Sequence, residues 1–478
     1  MACANRSCKV NDAAPGSDQL KRVLQALATS LGKDGLLTGE AVAGRAESWS
    51  SPKNCRALGI ALPRSTEEVA TILRICNNEA QPVVPYGGGT GLVGGATAGP
   101  HEIVVSLERM RTIEEVDTMM RIATVQAGAT LESVQQAAAK ADLYFPLDLG
   151  ARGTATIGGN LATNAGGNRV IRFGMMRDMV LGLEAVLADG TVLTNMNRLI
   201  KNNAGYDLKQ LFMGTEGTLG VVTRAVLRLR ERWNSQIVAL VATDEFRNLP
   251  LLLKSLDKRL GGTLSAFEVM WPEFYELVTT PPARNQPPLR RGHSFYCLVE
   301  ALGGDEETDR QRFEGALATL LDDGTIVDAT IASSSLQIAQ LWALRDDVEQ
   351  ILRIGPLFMF DVGLPILAME AYVAQVRSAL VCMHESAVCV AWGHMGDSNL
   401  HLWITVHDAS DKARVRVERI VYDPIAAIGG TVSAEHGIGA EKLDYLSSCR
   451  SPAEISLMRQ LKHSLDPKGI LNPGKVIG

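Results

Sequence analysis

Two glycine-rich stretches restrict what this chain can fold into more than any other feature of its sequence. In the first, "PYGGGTGLVGGA" at residues 85–96, the candidates for contacting a ligand are Gly87, Gly88, Gly89, Thr90 and Gly91. The second, "GARGTATIGGNLATNAGGNRVIRFG" at residues 150–174, offers Gly158, Gly159, Thr163, Asn164 and Gly166. Such backbone cannot pack a core through side chains, but it can lie against a flat ligand and direct N–H groups at a diphosphate. A loop that only turns tightly is the alternative for either stretch alone.

The spacing of Gly89, Gly91 and Gly94 matches the G-x-G-x-x-G pattern of nicotinamide-dinucleotide sites, but its context does not. That pattern needs the last glycine to open a helix whose N-terminus holds the pyrophosphate. Here "ATAGPHEIVV" continues through Gly99 and Pro100 into an apolar, strand-like run. The sequence therefore argues against a nicotinamide enzyme.

Length and charge bound the class of protein. With 478 residues, the chain is long enough for about two or three domains and a large buried cofactor. Its 21% charged and 46% hydrophobic residues are typical of a soluble globular protein. A formal net charge of −6 leaves no surplus of lysine and arginine for binding a phosphate backbone, so we expect no nucleic-acid partner.

Cysteine usage and hydropathy give expectations for the compartment. The eight cysteines, among them Cys3, Cys8, Cys382 and Cys389, are scattered without C-x-x-C pairs, which favours reduced thiols over disulfides or a cysteine zinc site. The first ten residues lack the apolar run of a secretion signal, and we find no 18-residue apolar stretch that would predict a transmembrane segment. We therefore expect a cytoplasmic protein, with peripheral attachment to the inner membrane and a homodimer left open.

The pattern of strands and helices predicts three segments. Residues 1–232 mix strands with capped helices, such as the helix that follows Ser65 and carries Glu68, and the Asp189-Gly190 dipeptide predicts a tight hairpin. The pattern resets at "QIVALVAT", so residues 233–410 form a second unit, and a helix then begins the final segment, 411–478. This mixture of elements predicts an α+β fold.

Four ionisable residues in the last quarter of the chain suggest a metal site. "AVCVAWGHMGDSNLHLWITV" is typical of two strands around a tight turn, and such a hairpin brings His394 and His401 face to face. The period of two along a strand places Trp403 on the same face as His401. Farther on, Glu435 and His436 adjoin in "GGTVSAEHGIGAEK". Two imidazoles and a carboxylate suit a divalent ion such as Zn²⁺, although the residues alone do not show that these segments meet.

Together with "NAGYDLKQLFMGTEGTLGVVT" at residues 203–223, the two glycine-rich stretches resemble the FAD-binding domain of vanillyl-alcohol-oxidase type flavoenzymes. The resemblance covers about residues 50–230 and implies a two-lobed FAD domain, a substrate or cap domain, and a C-terminal helical segment that packs back on the FAD domain. It places the FAD pyrophosphate on the first loop and the isoalloxazine edge near residues 158–167. Because residues 86–91 contain no histidine for a covalent tether, it implies non-covalent FAD.

The motifs "GHMGDSNLH" and "SAEHGIG" are similar to C-terminal motifs of the FAD-dependent D-2-hydroxy acid dehydrogenases, which oxidise acids such as D-lactate, D-2-hydroxyglutarate and glycolate. This resemblance implies that His394, His401 and Glu435 bind the metal, Zn²⁺ or Mn²⁺, and that His436 is the catalytic base. An exchange of roles between Glu435 and His436 stays open. The chemistry suits these residue types, since a metal lowers the pKa of a bound hydroxyl and a neutral histidine can take its proton while a hydride passes to flavin N5.

Four residues are candidates for contacting the substrate. Arg345 matches the family arginine that holds the substrate carboxylate, and an exposed helical arginine is the alternative. The resemblance leads us to expect polar or basic residues where Glu349 and Met359 stand and an asparagine where Trp403 stands. A second carboxylate would meet no cation there, and Glu349 would repel it. We therefore favour D-lactate- or D-mandelate-like acids with small, apolar or aromatic side chains and keep D-2-hydroxyglutarate as the alternative.

Other readings of the same residues stay open. An oxidase of glycolate or of another alcohol on this fold would also use FAD, whereas a non-redox metal protein would be colourless. The acceptor that reoxidises the flavin is a quinone, an electron-transfer protein or a dye. Met359 could equally be a residue of plain core packing.

Overall fold

Three large sheets with helices packed on them make up most of the described structure, which confirms the predicted α+β class. The computed structural model describes residues 16–48 and 51–478, so the expectations for Cys3, Cys8 and the first ten residues lie outside it. Within the described residues, the six cysteines are free thiols.

The first lobe is a four-stranded sheet with two helices packed on one face. In spatial order its strands are Leu36–Leu37, Gly59–Ala61, Ile103–Ser106 and Val83–Tyr86, and the last three run parallel. The helices are Ser17–Leu31 and Thr66–Asn78, and the Ser65 side chain accepts a hydrogen bond from the N–H of Glu68. Smaller elements are the helix Glu40–Ala43 and the strand pair Ala46–Ser48 and Ser51–Asn54.

The second lobe is a five-stranded antiparallel sheet. In spatial order its strands are Val192–Asn195, Val180–Val186, Val221–Arg228, Ile122–Gln126 and Ile113–Asp117. The hairpin between the first two turns at Asp189-Gly190, where Gly190 has a φ of +84° that favours glycine. The remaining elements are the helices Leu131–Lys140, Ile157–Thr163 and Val170–Phe173, the 3-10 turns Met176–Met179 and Leu208–Phe212, and the strand pair Leu143–Tyr144 and Arg230–Glu231.

The cap domain is a seven-stranded antiparallel sheet with helices on both faces. In spatial order its strands are Asp328–Ile331, Ser235–Thr243, Phe295–Gly303, Leu264–Met270, Val388–Gly393, Asn399–Thr405 and Phe358–Gly363. One face packs against the helices Asn248–Leu260, Glu306–Asp322, Met369–Met383 and Asp411–Tyr422. The other packs against Pro272–Thr279 and Ser335–Asp346. Its 3-10 turns are Val348–Ile354, Ile366–Ala368 and Met395–Asp397.

The C-terminal segment returns to the first lobe later than the expected boundary at residue 411. Helix Asp411–Tyr422 stays with the cap, because its Val417 and Val421 are buried in the core beneath the cap sheet. After the 3-10 turns Ala426–Ile428 and Leu443–Ser448 and the helix Pro452–Leu465, Leu471 pairs with Val83 of the first lobe. An apolar helix face is buried against a sheet that is open to it, so helix Asp411–Tyr422 packs on the cap sheet. The return to the first lobe therefore begins after this helix.

One helical stretch in the described residues, Ile366–Met383, is long and apolar enough by composition to cross a membrane, with a mean hydropathy of 1.4. From the sequence we expected no such stretch. Its residues Met369, Val376 and Leu380 are buried against the cap sheet, and Arg377 donates a hydrogen bond to Glu273 at 2.9 Å. A helix that packs one face on a protein core can have the same length and composition as a membrane-spanning helix.

Candidate active site

A deep cavity lies where the two glycine-rich stretches meet. Its walls include eight of the residues predicted to contact a cofactor, namely Gly87, Gly88, Gly89, Thr90, Gly91, Gly158, Gly159 and Thr163. Two others lie outside it. Asn164 ends the helix Ile157–Thr163 with a φ of +49°, and its Oδ1 accepts a hydrogen bond from the N–H of Arg177. A Cβ on Gly166 would lie 3.7 Å from Oε2 of Glu435, so this glycine borders the carboxylate instead.

The cavity presents hydrogen-bond donors that have no partner among the described residues. Nδ2 of Asn160, which is part of the cavity wall, is buried without a partner among the described residues. Within residues 16–48 and 51–478, no backbone carbonyl accepts from the N–H groups of residues 88–91. A Cβ on Gly88 would lie 1.9 Å from the carbonyl oxygen of Thr154, so the loop can pack this closely only with glycine. These donors fit the phosphates and polar edges of FAD.

The predicted hairpin brings His394 and His401 together, with their ring centroids 5.4 Å apart. The residue directly opposite His401 is Trp392, not His394 as expected. The chain between the strands forms the 3-10 turn Met395–Asp397 and then a left-handed residue, Ser398. His394 therefore lies beyond the end of its strand and approaches His401 diagonally.

Glu435 completes a three-residue cluster with the two histidines. Its Oε1 lies 3.3 Å from Nε2 of His394 and 3.4 Å from Nε2 of His401, and it accepts a hydrogen bond from Asn399 at 2.6 Å. The potential ligand atoms all lie within 4.8 Å of one another. Although burial opposes protonation of His394, the carboxylates of Glu268 and Glu435 raise its pKa well above the usual value. A site that attracts a proton so strongly also suits a divalent cation, so the donor set fits the predicted metal.

Asp361 shapes the loop that carries Glu435 and His436. It lies on the edge strand Phe358–Gly363, opposite His401, and is fully buried. Its Oδ2 accepts hydrogen bonds at 3.0 Å from three successive backbone N–H groups, those of Ala434, Glu435 and His436. A carboxylate held by consecutive amides fixes the backbone around it, so this one residue sets where the loop presents both side chains.

His436 lies between the cluster and the glycine-lined cavity. Its ring stacks on that of His401 at 5.9 Å, and both His436 and Glu435 form part of the cavity wall. Nδ1 of His436 is 4.0 Å from Oδ2 of Asp361. Burial lowers the pKa of His436, although the nearby Asp361 carboxylate opposes this effect. The lowered pKa keeps the ring neutral near pH 7. A neutral imidazole is able to accept a proton.

Arg345 lies beside the cluster, and the alternative of an exposed helical arginine is wrong. It is only 7% exposed, its Nε donates to Oε2 of Glu268 at 2.8 Å, and its Nη2 lies 3.1 Å from Nε2 of His394. Although burial favours the neutral form of Glu268, His394 and Arg345 hold its pKa at about 2. The guanidinium of Arg345 thus lies beside the cluster of His394, His401 and Glu435.

The other three substrate candidates occupy different surroundings. Met359 and Trp403 are opposite each other on neighbouring strands, and Trp403 packs against Trp392 at 5.3 Å between ring centroids. Met359 is 38% exposed, so it is not a residue of plain core packing. Glu349 lies in the 3-10 turn Val348–Ile354, and no described contact links it to the histidine cluster.

Three carboxylates at the site, two of them buried, were not predicted from the sequence. Glu268 and Asp361 each interrupt an apolar strand, "LSAFEVM" and "FMFDVG". Glu216 accepts hydrogen bonds from the N–H groups of Ile438 and Gly439 and so ties the C-terminal loop to the second lobe. A lone acid inside a buried strand is costly unless it has a partner, and that was the available signal for the first two.

Comparison with known proteins identifies the family. Residues 57–195 match the family model for an FAD binding domain, and residues 233–476 match the one for the C-terminal domain of FAD linked oxidases. A mitochondrial D-2-hydroxyglutarate dehydrogenase of Bos taurus is 41% identical over 421 residues, which cover 87% of this chain and 76% of the relative. The chain belongs to the FAD-dependent D-2-hydroxy acid dehydrogenase family. It is therefore a flavin-dependent oxidoreductase that acts on D-2-hydroxy acids.

Other relatives support this family assignment, and a solved structure supports the fold. A D-2-hydroxyglutarate dehydrogenase of Xanthomonas citri pv. viticola is 40% identical over 90% of this chain and 91% of its own. A putative mitochondrial D-lactate dehydrogenase of Schizosaccharomyces pombe is 36% identical over 87% and 81%. The solved structure of p-cresol methylhydroxylase aligns with a TM-score of 0.78 at 15% identity, covering 97% of both chains. The last comparison confirms the vanillyl-alcohol-oxidase type fold and nothing more.

Proposed function

We propose that this dehydrogenase oxidises D-2-hydroxyglutarate to 2-oxoglutarate, with non-covalent FAD and a divalent cation, Zn²⁺ or Mn²⁺. One observation carries the proposal: His394, His401 and Glu435 converge, and His436 lies between them and a glycine-lined cavity. The choice of acid follows the names of the relatives that are 38–41% identical. It replaces the lactate- or mandelate-like preference as the leading candidate.

The chain's own residues would bind the acid and move its hydroxyl proton. When bound, FAD accepts the hydride that leaves C2, while a divalent cation lowers the pKa of the substrate hydroxyl. Arg345 would hold the C1 carboxylate, since its guanidinium faces the cluster. Nδ1 of His436 faces Asp361, which leaves Nε2 to take the hydroxyl proton as the C2–O bond becomes a carbonyl. The walls of the cavity would exclude water from this exchange.

A second candidate function rests on the opposed pair Met359 and Trp403. These side chains form an apolar patch on the same sheet face as His401 and Asp361. A substrate carboxylate placed against these two apolar side chains would lose water without gaining a hydrogen bond from them. D-lactate or D-mandelate, whose side chains are uncharged, would suit this patch better.

Reduction of an artificial dye separates these candidates. The holoenzyme is assayed with D-2-hydroxyglutarate, D-lactate and D-mandelate, with the L-enantiomers as controls. The proposal expects the highest kcat/KM for D-2-hydroxyglutarate, whereas a preference for D-lactate or D-mandelate would establish the second candidate.

Chelation tests the metal. Treatment with EDTA should abolish turnover of the D-acid, and Zn²⁺ or Mn²⁺ should restore it. Without a cation, the substrate hydroxyl would keep its ordinary pKa. Flavin absorbance should persist throughout. Turnover that survives thorough chelation would remove the cation from the mechanism.

A further inference from the structure

Glu268 lies next to the cluster, and the proposed function gives it no role. It is on the strand Leu264–Met270, and its side chain is only 2% exposed. Its two oxygens contact different partners: Oε1 lies 2.8 Å from Nδ1 of His394, and Oε2 accepts from Nε of Arg345 at 2.8 Å. One buried carboxylate thus touches both a predicted metal ligand and the predicted carboxylate-binding arginine.

We propose that Glu268 is a positioning residue that orients the metal ligand and the substrate-binding arginine together; this inference rests on the proposed function. An ionised carboxylate only accepts hydrogen bonds, so Nδ1 of His394 carries the proton that faces Glu268. Nε2 is then the nitrogen that would bind the cation after giving up its own proton, and it lies 3.3 Å from Oε1 of Glu435. A carboxylate that fixes a ligating imidazole in this way strengthens metal binding by about 10- to 100-fold.

The same carboxylate fixes the direction of Arg345. Glu268 accepts a hydrogen bond from Nε of Arg345. Nη2 of the same guanidinium then lies 3.1 Å from Nε2 of His394, beside the cluster. Nη1 lies 3.5 Å from Asp346. Because both partners depend on one anion, its neutralisation should weaken the binding of the cation and of the substrate carboxylate together.

Glu300 provides a matched control. It is equally buried, lies on the neighbouring strand Phe295–Gly303, and also pairs with an arginine, since Arg169 donates to it at 2.7 and 3.0 Å. Its other described partners are Gln236, Ser265 and Trp342, and none of its described contacts involves the histidine cluster. Glu300→Gln therefore removes a buried anion of the same sheet without touching either proposed function of Glu268.

The test measures binding in the chelator-treated, FAD-containing protein. Zn²⁺ affinity is determined by competition with a chromophoric chelator, and 2-oxoglutarate affinity by its perturbation of the flavin spectrum in Zn²⁺-loaded protein. Glu268→Gln is expected to weaken Zn²⁺ binding by about 10- to 100-fold and 2-oxoglutarate binding by at least about tenfold, with FAD retained. Glu300→Gln should leave both affinities as in the wild type.

The outcomes separate this inference from the proposed function. Wild-type affinities in Glu268→Gln, or equal losses in Glu300→Gln, would overturn the positioning role. A wild-type protein that binds neither Zn²⁺ nor 2-oxoglutarate would instead defeat the proposed function. If Glu268→Gln does not retain FAD, Glu268→Asp carries the test, because it keeps the charge and shortens the reach. Losses of both affinities in that variant would support the inference, and unchanged affinities would overturn it.

Discussion

The two halves of the candidate site are built in opposite ways. The cofactor cavity, here called the backbone half, is lined mostly by two glycine-rich stretches, each of them continuous in the chain. The side-chain half is the cluster of His394, His401 and Glu435, drawn from a turn, a strand and a loop, with buried carboxylates next to it. Side-chain-free backbone can be recognised locally, whereas a cluster of charges exists only after distant segments pack. Damage to one half should therefore leave the other intact.

His436→Ala should have the largest effect, because it removes the residue proposed to take the hydroxyl proton. We expect kcat to fall by about 10³-fold while FAD stays bound, since general-base catalysis contributes about 10²- to 10⁴-fold. Stopped-flow reduction of the flavin measures the loss directly. Near-normal flavin reduction would transfer the role of base to another residue, with Glu435 first in line.

Gly88→Ala should damage the backbone half instead. The new Cβ would lie 1.9 Å from the Thr154 carbonyl oxygen, and overpacking of this kind costs about 1–3 kcal/mol. We expect the purified variant to lose FAD, seen as a lower ratio of flavin to protein absorbance, yet still to bind Zn²⁺. Gly304→Ala is the control, since a Cβ there meets nothing within 4 Å. Loss of Zn²⁺ binding along with FAD would show that the two halves are not independent.

Met359→Lys should produce the smallest effect and sharpen the choice of substrate. A lysine opposite Trp403 would give a second substrate carboxylate a partly exposed cation, worth about 0.5–1 kcal/mol. We expect the KM for D-2-hydroxyglutarate to fall about two- to fivefold and that for D-lactate to stay the same. Met359→Gln, of similar size and without charge, is the control. Equal changes for both acids would place the substrate side chain elsewhere.

The sequence predicted more of the backbone half than of the side-chain half. Eight of ten predicted cofactor residues form part of the cavity wall, because glycine clusters act where they lie in the chain. Asn164 and Gly166 are not part of the wall, because Asn164 ends a helix and Gly166 lies beside the carboxylate of Glu435. The predicted register around His401 was wrong by two residues, since Trp392 and not His394 lies opposite it, and strand periodicity does not reveal such a shift.

By itself, the sequence determined the fold class, the family and the chemical types at the site, because glycine runs, hairpin turns and paired motifs are local patterns. Tertiary structure alone decided that His394, His401 and Glu435 meet, and that Glu268 and Asp361 hold them in place. It also decided that helix Asp411–Tyr422 stays with the cap. The physical reason is burial: which charges share a dry interior, and which apolar face finds a sheet, depends on how segments far apart in the chain pack together.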